Sequence, residues 1–197
     1  ELRYFRQNWP DWPDLIATDL SALVQFLLNK KPLPNDFAVP TPWPGSFHFH
    51  IENEQINRSF FSSNQKCEMP PVAKPLAWQT AMQIEEYFDG CRTEFLLPLQ
   101  ASGSAFEQQI WQHLQNIKYR ETASYQQLSE MAGHPQAARA AGNALKKNPL
   151  PLFIPCHRIL PQNQLAESAQ SAVGNYLAGS DIKRWLLKLE CAHKKCE

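Results

Sequence analysis

Hydrophobic positions along the chain change their period several times. Residues 14–29 set Ile16, Leu20, Leu23, Val24 and Leu27 at helical spacing. A Pro-rich stretch from Pro32 to Pro44 ends that pattern. Phe47, Phe49 and Ile51 then alternate with His48 and His50, and Ile56 to Phe61 follows after a short polar stretch, which predicts a hairpin. From residue 77 to 89 the helical period returns, with Trp78, Ala81, Ile84 and Phe88 on one face and Gly90 as its stop. Thr93 to Leu99 has β character and leads to a boundary near residues 98–103.

Beyond that boundary the pattern is mostly helical. Ser104 suits the cap of a helix reaching Ile117, with Phe106, Ile110, Trp111 and Leu114 inward. A short helix is expected from Ser124 to Ala132. Gly133-His134-Pro135 then forms a turn, with Pro135 suited to the first position of a helix from Gln136 to Lys147. Two short helices across a three-residue turn have the outline of a helix-turn-helix. The apolar flanks of Pro155-Cys156-His157-Arg158 predict a buried strand on each side. A last helix puts Ile182, Trp185, Leu186 and Leu189 on one face.

Composition adds bounds. The 197 residues are 43% hydrophobic and 19% charged, ordinary for a globular chain and sufficient for one sizeable core or two small ones. No apolar run approaches the ~20 residues of a membrane helix. The first residues lack the basic-then-apolar layout of a signal peptide, and five cysteines at irregular spacing do not form a disulfide framework. The expectation is a cytoplasmic protein (nuclear if eukaryotic) with reduced thiols. Net charge is zero, yet residues 98–197 hold 11 Lys and Arg against 7 Asp and Glu, and residues 1–97 hold 8 against 12. A basic second half is compatible with a polyanionic partner.

Two segments carry candidate chemistry. Cys156 lies beside His157 and Arg158, where a thiolate nucleophile can be stabilised. A buried structural cysteine beside a satisfied histidine fits the same residues, since free cysteine is among the most buried residue types. In the second segment, Ala137, Ala138, Ala140, Ala141, Gly142 and Ala144 leave a helix almost without bulk, with Arg139 its one long side chain in the first two turns. Such a helix admits close approach to a groove, with Lys146 and Lys147 near phosphates, or equally packs tightly on another helix. Cys191, His193 and Cys196 fit a frayed tail, and His48 and His50 an ordinary strand, better than a metal site.

Ile154-Pro155-Cys156-His157-Arg158, preceded by Asn148-Pro149, closely resembles the active-site signature of the O6-alkylguanine-DNA alkyltransferases. The resemblance runs from Phe106 to Leu160 and includes Ser124-Tyr125, Ala138-Arg139-Ala140 and Gly142. It resumes at Gly174-Asn175-Tyr176 and continues through Lys183-Arg184-Trp185-Leu186-Leu187 to Glu190. It implies a ribonuclease-H-like α/β domain over 1–98. A mainly α domain over 99–197 would carry the helix-turn-helix (winged-helix-like) and the active-site cysteine.

The implied activity is a single, stoichiometric transfer of an alkyl group from O6 of guanine in double-stranded DNA to Cys156. The base would be flipped out through the minor groove, with no cofactor, no metal and a monomeric protein. Cys156 would attack as thiolate, His157 would take its proton through a water, and Glu190 would fix the His157 tautomer. Tyr125 would move the 3′ phosphate and donate to a ring nitrogen of the flipped guanine. Arg139 would fill the gap left by the base, with Ala138 and Gly142 along the groove and Ser124 and Gln126 among the DNA contacts. Ile159, Tyr176 and Leu177 would frame the guanine, and Asn148 and Arg158 would support the site.

The chain departs from the family pattern in places. Lys118 and Arg120 stand where a Pro and a Gly are frequent, Lys147 where a Gly is common. The loop from Leu160 to Gly174 is about seven residues longer than usual, and Leu177-Ala178 replaces a small polar residue and a Gly. Leu177 thereby bears on substrate size. Three other functions compete: a lesion sensor of the same fold without transfer, a helix-turn-helix transcriptional regulator, and a cysteine hydrolase. The intact Pro-Cys-His-Arg opposes the first. The helix poor in Asn, Gln and Arg opposes the second. Adjacency of Cys and His in sequence opposes the third.

Overall fold

The computed structural model describes residues 35–63, 73–162 and 176–192. The helix expected over 14–29 lies outside the described residues, as do Cys67, His193 and Cys196.

Three antiparallel strands open the described chain: β1 (Asp36–Pro40), β2 (Ser46–Glu52) and β3 (Gln55–Ser62), in the order β1-β2-β3. The expected hairpin is β2–β3, joined through Asn53 and Glu54, both in the left-handed region. β1 arises within the Pro-rich stretch, where no strand was expected; its Phe37, Ala38 and Val39 are all buried and supply the apolar run that the prolines obscure. His48 stacks on Phe60, and His50 bonds Asp36, so both serve the sheet.

Helix α1 (Pro75–Phe88) begins with Pro at its first position and stops at Gly90, whose φ of 75° only glycine adopts cheaply. The β character of Thr93–Leu99 reduces to one parallel bridge, Ile56 to Leu99, because Pro98 has no N–H to extend a ladder. Ile56 N donates to Pro98 O and Gln100 N to Ile56 O. On the same strand, Ser59 N donates to Pro149 O and Ser59 Oγ to Pro151 O. β3 therefore holds the segment that leads into Cys156.

Helix α2 (Ala105–Gln115) starts at a capping box in which Ser104 and Glu107 satisfy each other's backbone N–H. Ile110, Trp111 and Leu114 enter the core as expected. β4 (Ala123–Ser124) leads into α3 (Tyr125–Met131), also opened by a capping box, here Ser124 with Gln127. Helix α4 (Ala138–Lys146) begins later than expected, so the link after α3 spans 132–137 rather than three residues. Pro135 sits inside that link, not at the helix start. Trp111 Nε1 donates to Ala144 O, binding α2 to α4 through the small-residue face.

The strands expected on both sides of Cys156 are mostly absent. Prolines 149, 151 and 155 remove ladder donors, and Leu152 takes a φ of 76°, so the approach is a buried coil. Cys156–Arg158 form a single 3-10 turn, and β5 (Ile159–Leu160) pairs in parallel with β4. The last helix, α5 (Ser180–Ala192), is rotated from the expected face. It buries Lys183, Leu186, Leu187, Leu189 and Glu190, while Ile182 and Trp185 are only half-buried. One hydrophobic cluster runs from Phe37 to Leu189 and contains Cys156. No described helix is long and apolar enough to cross a membrane.

Candidate functional site

Cys156 is 5% exposed at the base of a cavity of about 530 Å3. Tyr125, Ala138, Arg139, Gly142, Tyr176 and Leu177 are among the residues that line it. α3 and α4 supply one wall and the stretch after Tyr176 the other. Gly142 lies under the Tyr125 ring, about where a methyl group would make ordinary contact, 3.5 Å from Cδ1. Arg139 is exposed at the mouth.

Behind the sulfur the setting is different. Asn148 Nδ2 donates to Ile154 O at 3.0 Å and to Cys156 Sγ at 3.1 Å, and Asn148 Oδ1 accepts from Leu150 N. This ties the end of α4 to the cysteine turn. His157 is fully buried, with Nε2 2.7 Å from Glu190 Oε1. An ionised carboxylate only accepts, so Nε2 carries the proton and Nδ1 keeps a lone pair. Nδ1 is buried and has no partner among the described residues.

Glu190 collects donors. Arg158 Nε and Nη2 bond Glu190, Arg158 Nη1 bonds Ile117 O, and Arg120 N reaches Glu190 Oε2 at 2.9 Å. Tyr87 Oη donates to Oε1 at 2.6 Å. Burial pushes the Glu190 carboxyl up, but His157 and Arg158 outweigh it and hold the group at about 2. Burial lowers His157 below its ordinary value against the pull of Glu190, so the ring is neutral near pH 7. Burial raises the Cys156 thiol, while the Asn148 hydrogen bond and the Lys183 charge draw it down. A neutral thiol next in sequence to a neutral imidazole whose buried Nδ1 is open needs deprotonation at the moment of reaction, not before.

Of the residues expected at the site, Cys156, Tyr125, Ala138, Arg139, Gly142, Tyr176 and Leu177 share the cavity, and His157, Glu190, Asn148 and Arg158 form the buried network behind it. Ser124 is 1% exposed, with its hydroxyl engaged in the α3 cap, so it is not offered to a ligand. Gln126 is exposed outside the cavity and bonds Glu130. The Ile159 side chain is fully buried, outside the cavity lining. Lys147 pairs with Glu107 at 2.6 Å, which leaves Lys146 as the lysine at the cavity. Arg120 Nη2 faces Cys191 O at the end of α5.

Two site residues were not anticipated. Lys183 is 1% exposed and donates from Nζ to Ile159 O at 2.6 Å; burial lowers it to about 8, against the opposing influence of Cys156. Tyr87 reaches Glu190 from α1. Lys183 was detectable as a lysine at the spacing of Leu186, Leu187 and Glu190 on α5. Tyr87 left no signal beyond its place beside Phe88 on the buried face of α1. Cys91 is disulfide-bonded, which corrects the expectation that all thiols are reduced; Cys156 and Cys191 are free.

Residues 105–192 match the family model described as the 6-O-methylguanine DNA methyltransferase DNA binding domain. A constitutive methylated-DNA–protein-cysteine methyltransferase of Bacillus subtilis is 37% identical over 71% of this chain and 85% of its own length. One of that name from Methanosarcina acetivorans is 31% identical over 92% and 93%. Among solved structures, the Mycobacterium tuberculosis O6-methylguanine methyltransferase superposes with a TM-score of 0.66 at 28% identity, covering 81% of this chain and 94% of that one. A Mycobacterium tuberculosis OGT in complex with DNA gives 0.67 at 26% identity, covering 82% and 95%.

Proposed function

Because the chain belongs to the methylated-DNA–protein-cysteine methyltransferase family, we propose that it repairs DNA by moving an alkyl group from O6 of guanine to its own Cys156. The observation that carries the reading is a buried thiol at the base of an open cavity, backed by His157 and Glu190.

The reaction runs in one displacement. A water between the thiol and His157 Nδ1 relays the thiol proton to the ring, which the Glu190 carboxylate stabilises as imidazolium. The orphaned, buried Nδ1 supports that route. The sulfur then attacks the alkyl carbon, the carbon–O6 bond breaks, and its electron pair goes to the guanine ring. Tyr125 donates a hydrogen bond to a ring nitrogen as that charge develops, and the guanine takes up a proton. Lys183 adds a positive charge near the sulfur. A thioether is not hydrolysed, so each protein molecule acts once.

DNA is the partner. A lesion stacked in duplex is out of reach of a sulfur this deep, which favours base flipping. We take α3, the 132–137 link and α4 as the helix-turn-helix, laid in the minor groove with Arg139 in the gap left by the base. We take β1–β3 and α1 as a small ribonuclease-H-like domain over 1–98, followed by the alkyl-acceptor domain over 99–197. The protein works as a monomer, in the compartment that holds the DNA.

Mass spectrometry after mixing the protein with an O6-methylguanine duplex tests the reading. One methyl on the Cys156 peptide, saturating at one per protein, is the expected result. Binding without a mass change would indicate a lesion sensor, and continued turnover on an ester would indicate a hydrolase.

A further inference from the structure

The network behind the cysteine draws one of its donors from the far half of the chain. Tyr87, on α1, is fully buried, and its hydroxyl lies 2.6 Å from Glu190 Oε1 and 3.4 Å from His157 Nε2. A buried phenol needs a hydrogen-bond partner. Tyr119, the neighbouring phenol, has none for its buried hydroxyl among the described residues. Aromatic contacts lock the Tyr87 ring: Tyr119 stands edge-on at 5.8 Å and 90°, and Phe95 lies at 5.2 Å.

Glu190 Oε1 accepts from Tyr87, His157 and Arg158, while Oε2 accepts from the Arg120 backbone and Arg158. Arg158 alone offers a fork that a carboxylate can meet in more than one rotation. The Tyr87 hydroxyl on one oxygen and the Arg120 N–H on the other fix the rotation at which the carboxylate meets the imidazole. We propose that Tyr87 is a positioning residue for alkyl transfer, acting through Glu190 to hold the His157 ring in place with Nδ1 left open. This rests on the transfer reading above.

The sign of the effect follows from charge. The hydrogen bond from Tyr87 draws electron density from Oε1, which weakens the pull of Glu190 on the His157 proton. Without that donor the same oxygen favours imidazolium more strongly, the ring protonates at higher pH, and Nδ1 loses its lone pair sooner. The groups around the ring act together. Glu190 and Lys183 come from α5, Cys156 and Arg158 from the 3-10 turn, Tyr176 from the cavity wall, Tyr119 and Arg120 from the loop before β4, and Tyr87 from α1.

The test is Tyr87→Phe in the full chain, with single-turnover methyl transfer from O6-methylguanine followed against pH, both as a duplex oligonucleotide and as the free base. Phe keeps the ring contacts, and Glu190 keeps its other donors, so the variant retains its fold. The expected result is a rate near pH 7 lower by about tenfold on both substrates. The acid limb of the profile should move up by about half a pH unit or more. Phe88→Leu, a packing change on the same helix, should leave that midpoint in place. An unchanged rate and midpoint in Tyr87→Phe would overturn the proposal. So would a lower rate with an unmoved midpoint, the pattern of a purely structural role. A wild-type protein that transfers no methyl refutes the function itself, a different outcome from normal wild-type transfer with an indifferent Tyr87→Phe.

Discussion

The two sides of Cys156 differ in how completely their polar groups are engaged. Behind the sulfur, Asn148, His157, Arg158, Lys183 and Glu190 are buried, and each has partners in the chain. In front of it, Arg139 and Lys146 stand exposed on a helix whose other residues are mostly small. A buried charge without partners is costly, so the charged groups of the rear network must be paired before any ligand arrives, His157 Nδ1 alone being left open. The front face bears no such requirement, and under the proposed function its cations would meet the phosphates and the vacated base stack. On that proposal the rear face serves the chemistry, and the front face serves the choice of duplex.

That division can be broken from the rear first. Glu190→Gln removes the charge that steadies His157 and leaves Arg158 buried without a carboxylate. Transfer should fall about 100-fold or more on duplex and free base alike, and stability should drop by about 3 kcal/mol. Methylation time courses with thermal melts check both. The Glu190 charge itself stabilises the fold at neutral pH. Because the folded value is lowered to about 2, that contribution is lost as pH falls from the ordinary carboxylate range through about 2.

At the front, Arg139→Ala should separate the two substrates. Without a side chain to fill the stack, duplex repair should slow by about tenfold or more, with the free base reacting at the wild-type rate. Equal losses on both would mean that Arg139 supports the chemistry and would erase the contrast. The smallest effect concerns Lys183, whose charge is present below about pH 8 and lost above it. The charge favours the thiolate, so its loss opposes the gain from deprotonating Cys156. Lys183→Met should remove the bend in the pH–rate profile near 8 and lower the rate a fewfold below it, measured by single-turnover transfer.

The sequence was most legible where polarity and period agree. The β2–β3 hairpin, the Ser104 cap and the cysteine signature all combine a local pattern with a local cause. Legibility failed where polar residues are buried. On α5, Lys183 and Glu190 lie on the inward face, so a reading by hydrophobic period chose Ile182 and Trp185 instead. The prolines before Cys156 were visible, but their apolar neighbours suggested strands that proline cannot sustain. Tyr87 and Glu190 are 103 positions apart, and only the packing of α1 against α5 and the cysteine turn unites them.

The bond between Asn148 and the cysteine has a consequence for the protein after it has reacted. A thiol and a thioether are both weak acceptors of that amide hydrogen, but a thioether can no longer become the thiolate that draws it strongly. Under the proposed function, the spent molecule should therefore have a looser joint between α4 and its own reaction centre than the fresh one. On that reading it should unfold more easily, and thermal melts of methylated against fresh protein check this.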